Sequence, residues 1–297
     1  MEAGFDLPCP PLPKLSARLG DSHKGDFGHA LFIGGSRGMS GAIAMSGLAA
    51  LRTGAGWVSL AVPDRCLETV AAVSPCLMTI PLAEDSQGRI ALRAVEQLES
   101  WFAKASCIAI GPGMGRSREL QLLMSKLLRR ASCPLVIDAD GLNNLAECNL
   151  AERAAWSIGT EQPVVLTPHP GEWSRLSGVE STDRWAQCRS AIDTASRSQQ
   201  MTIVLKGHRT LITDGRSAAL NSTGTPAMSV AGSGDVLTGI ITGLICQGLA
   251  SRDAAQLAVH VHGQAAQAAQ RSQRTHVVLP TELIEFVGKV LVEHIDM

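Results

Sequence analysis

Tyrosine is absent from the 297 residues, and Phe, Trp and Tyr together make up 3% of them. No mechanism that uses a phenol as its acid or base is open to this chain. No G-x-x-x-x-G-K-[ST] stretch occurs, so a Walker-type phosphate loop is excluded. The eight cysteines include no C-x-x-C pair, so zinc knuckles and thioredoxin-like redox motifs are excluded. An excess of one charge sign is also lacking. The 26 basic and 27 acidic residues leave a net charge of −1. That balance argues against a nucleic-acid binder but leaves room for a local phosphate site. No apolar run reaches the ~20 residues of a membrane span. The longest, Val236–Ala250, has 15 residues with three glycines and reads as a buried helix. The opening MEAGFDLPCPPLPKL carries Glu2, Asp6 and several prolines, and does not read as a signal peptide.

What is present is an apolar, glycine-rich chain. Apolar residues make up 45% and charged residues 18%, a globular composition. Cys107, Cys133, Cys188 and Cys246 lie in apolar stretches, where a reduced thiol is a small core filler. Reduced thiols fit a cytoplasmic location. Residues 1–22 read as a lead-in, and residues 23–297 as a single domain without linker or repeat.

Short continuous apolar runs alternate with helical patterns. Strands are expected at Ala30–Ile33, Trp57–Val62, Cys107–Ile110, Leu135–Ile137, Val164–Leu166 and Thr202–Leu205. Helices are expected at Ile90–Ala105, through Val95, Leu98, Trp101 and Phe102, and at Asp183–Ser198, through Trp185, Cys188, Ile192 and Ala195. Continuous rather than alternating strands joined by helices predict an α/β fold, a doubly wound and mostly parallel sheet covered on both faces. TIVLK and TLIT flank Gly-His-Arg and read as a β-hairpin.

Strand after strand runs into a glycine-rich or acidic loop: GGSRGMSGA, GPGMG, DADGLN and TPHPGE. In an open parallel sheet these carboxyl ends share one edge, where ligands bind. The stretch Asn221–Ile245 is the most informative. An apolar helix beginning near Val236 is preceded by Ala231-Gly232-Ser233-Gly234-Asp235. Free N–H groups and the positive helix end point into such a loop, and glycine lets a phosphate approach closely. Gly232, Ser233 and Gly234 are therefore the candidate anion hole. An acid beside an anion site is electrostatically unfavourable unless it has a task, which makes Asp235 the candidate catalytic residue. Lys206 ends a strand and can reach phosphates as a point charge. Asp138, Asp140 and Asn143 can hold Mg²⁺ through water, or serve only as turns and caps. His260 and His262 are two apart on a helix and make a poor metal pair.

GGSRGMSG superficially resembles the nucleotide loop of short-chain dehydrogenases. That family needs a catalytic Tyr, which this chain lacks.

A wider resemblance covers Lys24–Phe286. HKGDFGHALFIGGSRGMSGA, LRTGAGWVSLAVP, IGPGMG, PLVIDADGLN, VLTPHPGEWSRL, VLKGHRTLITDG and TPAMSVAGSGDVLTG stand in the order of the NAD(P)H-hydrate dehydratase family, within the ribokinase-like superfamily. Ala231 replaces a glycine common in relatives. The epimerase domain fused to many relatives is not matched, so the resemblance implies no epimerase activity in these residues. It implies nucleotide-dependent dehydration of the S form of NADHX or NADPHX, with ADP common in bacterial members and ATP in eukaryotic ones, and Mg²⁺ as cofactor. Carried over by position, Ala42, Gly113, His169 and Asp235 would meet the hydrate. Lys206, Gly207, His208, Arg209, Thr210 and Gly234 would meet the nucleotide. The resemblance also implies a homo-oligomer, often a tetramer, and functional coupling to a separate epimerase. The alternative is a small-metabolite kinase of the same superfamily, of the hydroxyethylthiazole or hydroxymethylpyrimidine type.

Overall fold

A computed structural model describes residues 6–148 and 162–296. The start of the lead-in, residues 1–5, and residues 149–161 of the expected domain lie outside the described residues. The chain passes through β1 (Leu15–Ser16), β2 (His29–Ile33), α1 (Ser40–Thr53), β3 (Trp57–Pro63), α2 (Leu67–Ala71), β4 (Met78–Leu82), α3 (Ala94–Phe102), β5 (Cys107–Ile110), α4 (Arg118–Arg130), β6 (Leu135–Ile137) and α5 (Asp140–Glu147). It continues through β7 (Val164–Leu166), α6 (Pro170–Ser177), α7 (Arg184–Ala195), β8 (Met201–Leu205), β9 (Leu211–Thr213), β10 (Ala218–Leu220), α8 (Ser233–Cys246), α9 (Ser251–Gln273), α10 (Pro280–Leu291) and β11 (Ile295–Asp296).

Nine of these strands form one sheet in the order β10-β9-β8-β7-β6-β5-β2-β3-β4. From β4 to β8 all neighbours are parallel, while β9 and β10 are antiparallel additions. All six expected strands are present, and the expected hairpin is β8–β9. Alternation along β2 shows why its run is continuous. Ala30 and Phe32 enter one core, with α1, α8, α9 and α10, while Leu31 and Ile33 enter the other, with α3 to α7. Both faces are covered, so both need apolar side chains.

Strand order reverses between β2 and β5, where the chain has gone out to β4 and returned. Ligands in such sheets bind outside the strand ends at this reversal. The helix over it, α8, lies close to α1 because Gly239 and Gly243 leave room. A Cβ at Gly239 would overlap the Ser46 carbonyl, and one at Gly243 would stand 2.9 Å from the Ala50 carbonyl. Close packing fixes the start of α8 against the start of α1.

Some expectations need adjusting. The helix expected from Ile90 begins at Ala94, because Ile90 pairs with Glu84 in a β-bridge before the helix starts. β4 and β10, the two edge strands, were not expected. The described part of the lead-in is tied down. Leu15 and Ser16 pair with Ile295 and Asp296, and Pro10 accepts a hydrogen bond from Gln256 Nε2 at 3.1 Å. Cys107, Cys133, Cys188 and Cys246 are all buried and free, as expected of core fillers.

Candidate active site

The carboxyl ends of β2, β5, β6, β7 and β8 and the start of α8 meet at one edge. Asp138 ends β6 and is 1% exposed. An isolated buried carboxylate is strongly disfavoured, so its partners decide its state. Lys206 Nζ, from the end of β8, donates to Asp138 Oδ1 at 2.7 Å, and Thr238 Oγ1, from α8, donates to Oδ2 at 2.7 Å. Burial opposes the Asp138 charge, yet Lys206 and the hydrogen bonds from Lys206, Thr238 and Thr167 hold its carboxyl below the ordinary range. Burial also works against the Lys206 charge, and Asp138, Glu172 and Asp235 together keep it raised. The pair is ionised, with the ammonium fixed in front of α8.

Gly234 shows how near that ammonium is. A Cβ added there would sit 3.3 Å from Lys206 Nζ and 3.9 Å from Asp138 Oδ2. The space left by the missing side chain is the cradle that a phosphate needs beside the N–H groups of Gly232, Ser233 and Gly234. The turn into α8 requires glycine at 232, whose φ is +96°. From behind, the buried His262 ring lies with Nε2 3.0 Å from the Ser233 carbonyl. Burial pushes its pKa down to about 4, so it is a neutral tether for the loop.

Asp235 is the third residue of α8. Among the described residues its carboxylate has no hydrogen-bond partner, so it is not spent on capping the helix. Burial first, then Asp138, with Asp140 and Glu172 behind, raise its pKa to about 7 against the pull of Lys206. A carboxyl poised near neutral pH is suited to take a proton.

The loops of β2 and β5 meet beside it. Gly113, at φ +64°, has its missing Cβ against the Met39 carbonyl and 3.1 Å from Ala42 Cβ. Ser36 Oγ donates to the Gly113 carbonyl at 2.7 Å. Ser46 links this pair to Asp235, since its Oγ lies 3.2 Å from the Ala42 carbonyl and 2.9 Å from the Asp235 carbonyl. His169 caps α6. Its Nδ1 accepts from the N–H groups of Gly171 at 3.0 Å and Glu172 at 3.3 Å, so the neutral ring carries its proton on Nε2. Burial, then Lys206 and Arg175, lower its pKa and keep it neutral.

The β8–β9 turn carries Gly207, His208, Arg209 and Thr210 along the same edge. Arg184 braces it from α7, with Nη1 donating to the Lys206 carbonyl at 3.1 Å and Nη2 to the Leu205 carbonyl at 2.8 Å. His208 is exposed and makes no contact with the Asp138–Lys206 group. Two sets thus emerge: Ala42 and Gly113 on one side, and Lys206, Gly234 and the hairpin on the other, with Asp235 between them.

Asp138 and Asp140 do not fit direct ligation of Mg²⁺, which demands near-octahedral oxygen ligands. Each Asp138 oxygen already accepts a hydrogen bond, so an ion there would compete with Lys206 and Thr238. Asp140 Oδ2 accepts the Gly115 N–H at 3.0 Å, and its Oδ1 accepts from Asn143 Nδ2 at 3.1 Å. Among the described residues no three His, Cys, Asp or Glu are grouped to hold an ion. Ala139, between the two acids, stands at φ +50°, a strained position for a residue with a Cβ.

Sequence reasoning missed Glu172, Thr238, Ser46, His262 and Arg184. Glu172 had a signal: His169-Pro-Gly-Glu172 has a cap followed three residues on by Glu, the spacing of a capping box. Thr238 had a weaker one, a polar residue one turn after Asp235 in a mostly apolar helix.

The family model described as NAD(P)H-hydrate dehydratase matches residues 30–289. A bifunctional NAD(P)H-hydrate repair enzyme of Moorella thermoacetica is 39% identical over 280 residues, which cover 94% of this chain and 52% of that protein. The chain therefore spans about half the length of the bifunctional relatives it matches. The ADP-dependent (S)-NAD(P)H-hydrate dehydratase of Bacillus subtilis is 33% identical over 278 residues, covering 93% of each chain. A crystal structure of the Bacillus subtilis ADP/ATP-dependent NAD(P)H-hydrate dehydratase, co-crystallised with ATP/Mg²⁺, superposes with a TM-score of 0.77 at 30% identity, covering 95% of each chain. The sheet and its helices have the ribokinase-like fold that the resemblance implied. The chain belongs to the NAD(P)H-hydrate dehydratase family.

Proposed function

We propose that this chain restores NADH and NADPH from the S forms of their hydrates, NADHX and NADPHX, while consuming ADP or ATP. A hydroxyl on the nicotinamide ring is a poor leaving group, and a phosphate ester is a good one. Asp235 takes the hydroxyl proton as the oxygen attacks the terminal phosphorus. The bond from that phosphorus to the nucleotide breaks, giving AMP from ADP or ADP from ATP. The ester C–O bond then breaks as the neighbouring ring carbon loses a proton and the double bond reforms, and inorganic phosphate leaves.

Lys206 and the Gly232–Gly234 amides hold the transferring phosphoryl group, a task of positioning and charge stabilisation. Gly207, His208, Arg209 and Thr210 carry the rest of the nucleotide. Ala42, Gly113 and His169 orient the hydrate, His169 through Nε2–H. Mg²⁺ arrives with the nucleotide phosphates in this reading, and no step is assigned to it. The single observation that carries the proposal is the unpartnered Asp235 carboxyl, held near neutrality at the start of α8 in front of Lys206.

The reading extends to residues 23–297 as one domain, a homotetramer and a cytoplasmic setting, which the buried free thiols suit. Specificity for the S form would leave the other epimer unused, which supports coupling to a separate epimerase. The test is product analysis. The purified protein with S-NADHX and ADP or ATP should yield reduced nicotinamide. A stable phosphoester instead would make it a metabolite kinase.

A further inference from the structure

Glu172 is a buried carboxyl that the proposed reaction leaves without a task. It is 6% exposed. On its own helix, Oε2 accepts the His169 N–H at 2.8 Å, and Oε1 stands 3.4 Å from His169 Nε2. Across the sheet edge, Oε2 lies 3.9 Å from Lys206 Nζ. One ammonium therefore faces three carboxyls: Asp138 from the end of β6, Glu172 from α6 and Asp235 from α8. Arg175 and His169, on α6, also face Glu172, and Asp140, from α5, faces Asp235. With all three carboxyls ionised, the group around Lys206 is net negative before any phosphate enters. A nucleotide brings more negative charge to the same ammonium.

We propose that Glu172 is a positioning residue that sets the His169 cap and the Lys206 ammonium, and that it takes up a proton from solvent when nucleotide phosphates arrive. The other two carboxyls are poorly suited to that uptake. Asp138 is locked in its charged form by Lys206 and Thr238. Asp235 must stay ionised to act as the base, and a proton taken there would block the reaction. Glu172 can be neutralised without losing its acceptor bond from the His169 N–H, because a protonated carboxyl keeps a carbonyl oxygen. Burial raises its pKa to about 7 against the pull of Lys206, so little further change protonates it. The nucleotide thereby completes the charge balance of the site while Asp235 remains a base.

This inference deepens the proposed reaction and rests on it for the role of Asp235, whereas proton uptake needs only nucleotide. The test is calorimetry of ADP binding in two buffers of different ionisation enthalpy between pH 6 and 8. Asp235→Asn and Asp235→Asn/Glu172→Gln are compared, so the titration of ADP itself cancels. The first should take up protons near pH 7 that the second does not. Its ADP affinity should also gain about tenfold more on going from pH 8 to pH 6, the change expected when one carboxyl pKa moves by about one unit. Equal uptake and equal pH dependence in the two proteins would overturn the proposal. If the double variant does not fold, Asp235→Asn alone decides, since uptake no greater than that of ADP itself also overturns it. Failure of the wild-type protein to turn over NADHX would remove the reaction and leave this result standing.

Discussion

Replacing Asp235 with Asn separates catalysis from stability at one position. The amide keeps the shape of the carboxyl and cannot accept the hydroxyl proton. Loss of a positioned general base lowers kcat by ~10²–10⁴, or about 3–5 kcal/mol of transition-state stabilisation. Because the Asp235 pKa is about 7, roughly half of the wild-type sites are ionised at neutral pH. Wild-type kcat at saturating nucleotide should therefore rise with pH, with a midpoint at or above about 7 because bound phosphates add negative charge beside Asp235, while the residual rate of the variant stays flat. Stability should move the other way. The group titrates near 3.8 in an open chain and near 7 in the fold. Its contribution is thus fully present below 3.8 and is lost as pH rises through 7, a loss of up to ~4 kcal/mol. Asn has no such loss. Its Tm should match wild type near pH 4 and exceed it by ~5 °C or more at pH 8. Stopped-flow turnover and thermal melts across that range measure both effects. Near-normal kcat in the variant, with only weaker hydrate binding, would make Asp235 a binding residue and refute the reasoning.

Two further substitutions test the phosphate side. Lys206→Ala should weaken ADP binding more than adenosine binding, read by calorimetry, and should also cost about 3–5 kcal/mol of stability because Asp138 is left as an uncompensated buried charge. Equal weakening of both ligands would move Lys206 out of the phosphate site. Gly234→Val places a branched side chain where a Cβ already stands 3.3 Å from Lys206 Nζ, so turnover should vanish while circular dichroism stays native. A folded variant with normal turnover would remove Gly234 from the cradle.

The central strands were legible because each is buried on both faces and so reads as an unbroken apolar run. β4 was not, since MTIPL contains Pro81 and begins with a 45% exposed Met78. An edge strand tolerates both, and both blur its signal. β10 is three residues long and is recognisable only by its partner β9. In the site, the candidates that the sequence offered are those whose chemistry is local: glycines in the loop before α8, the acid that follows them and the lysine ending a strand. Thr238 and His262 escaped because their meaning lies in distant partners. Thr238 meets Asp138 from 100 positions away, and His262 meets Ser233 from 29. The spacing of His260 and His262 carried no trace of the carbonyl that His262 holds.

If hydroxyl phosphorylation and phosphate loss occur in one site, the stoichiometry of a single reaction mixture records both. Purified protein is incubated with S-NADHX and ADP, and in parallel with ATP, while the reduced-nicotinamide absorbance is followed and nucleotide and phosphate are quantified. One NADH and one inorganic phosphate should appear for each nucleotide consumed. Nucleotide consumption with a stable phosphorylated hydrate and no recovery of absorbance would contradict it.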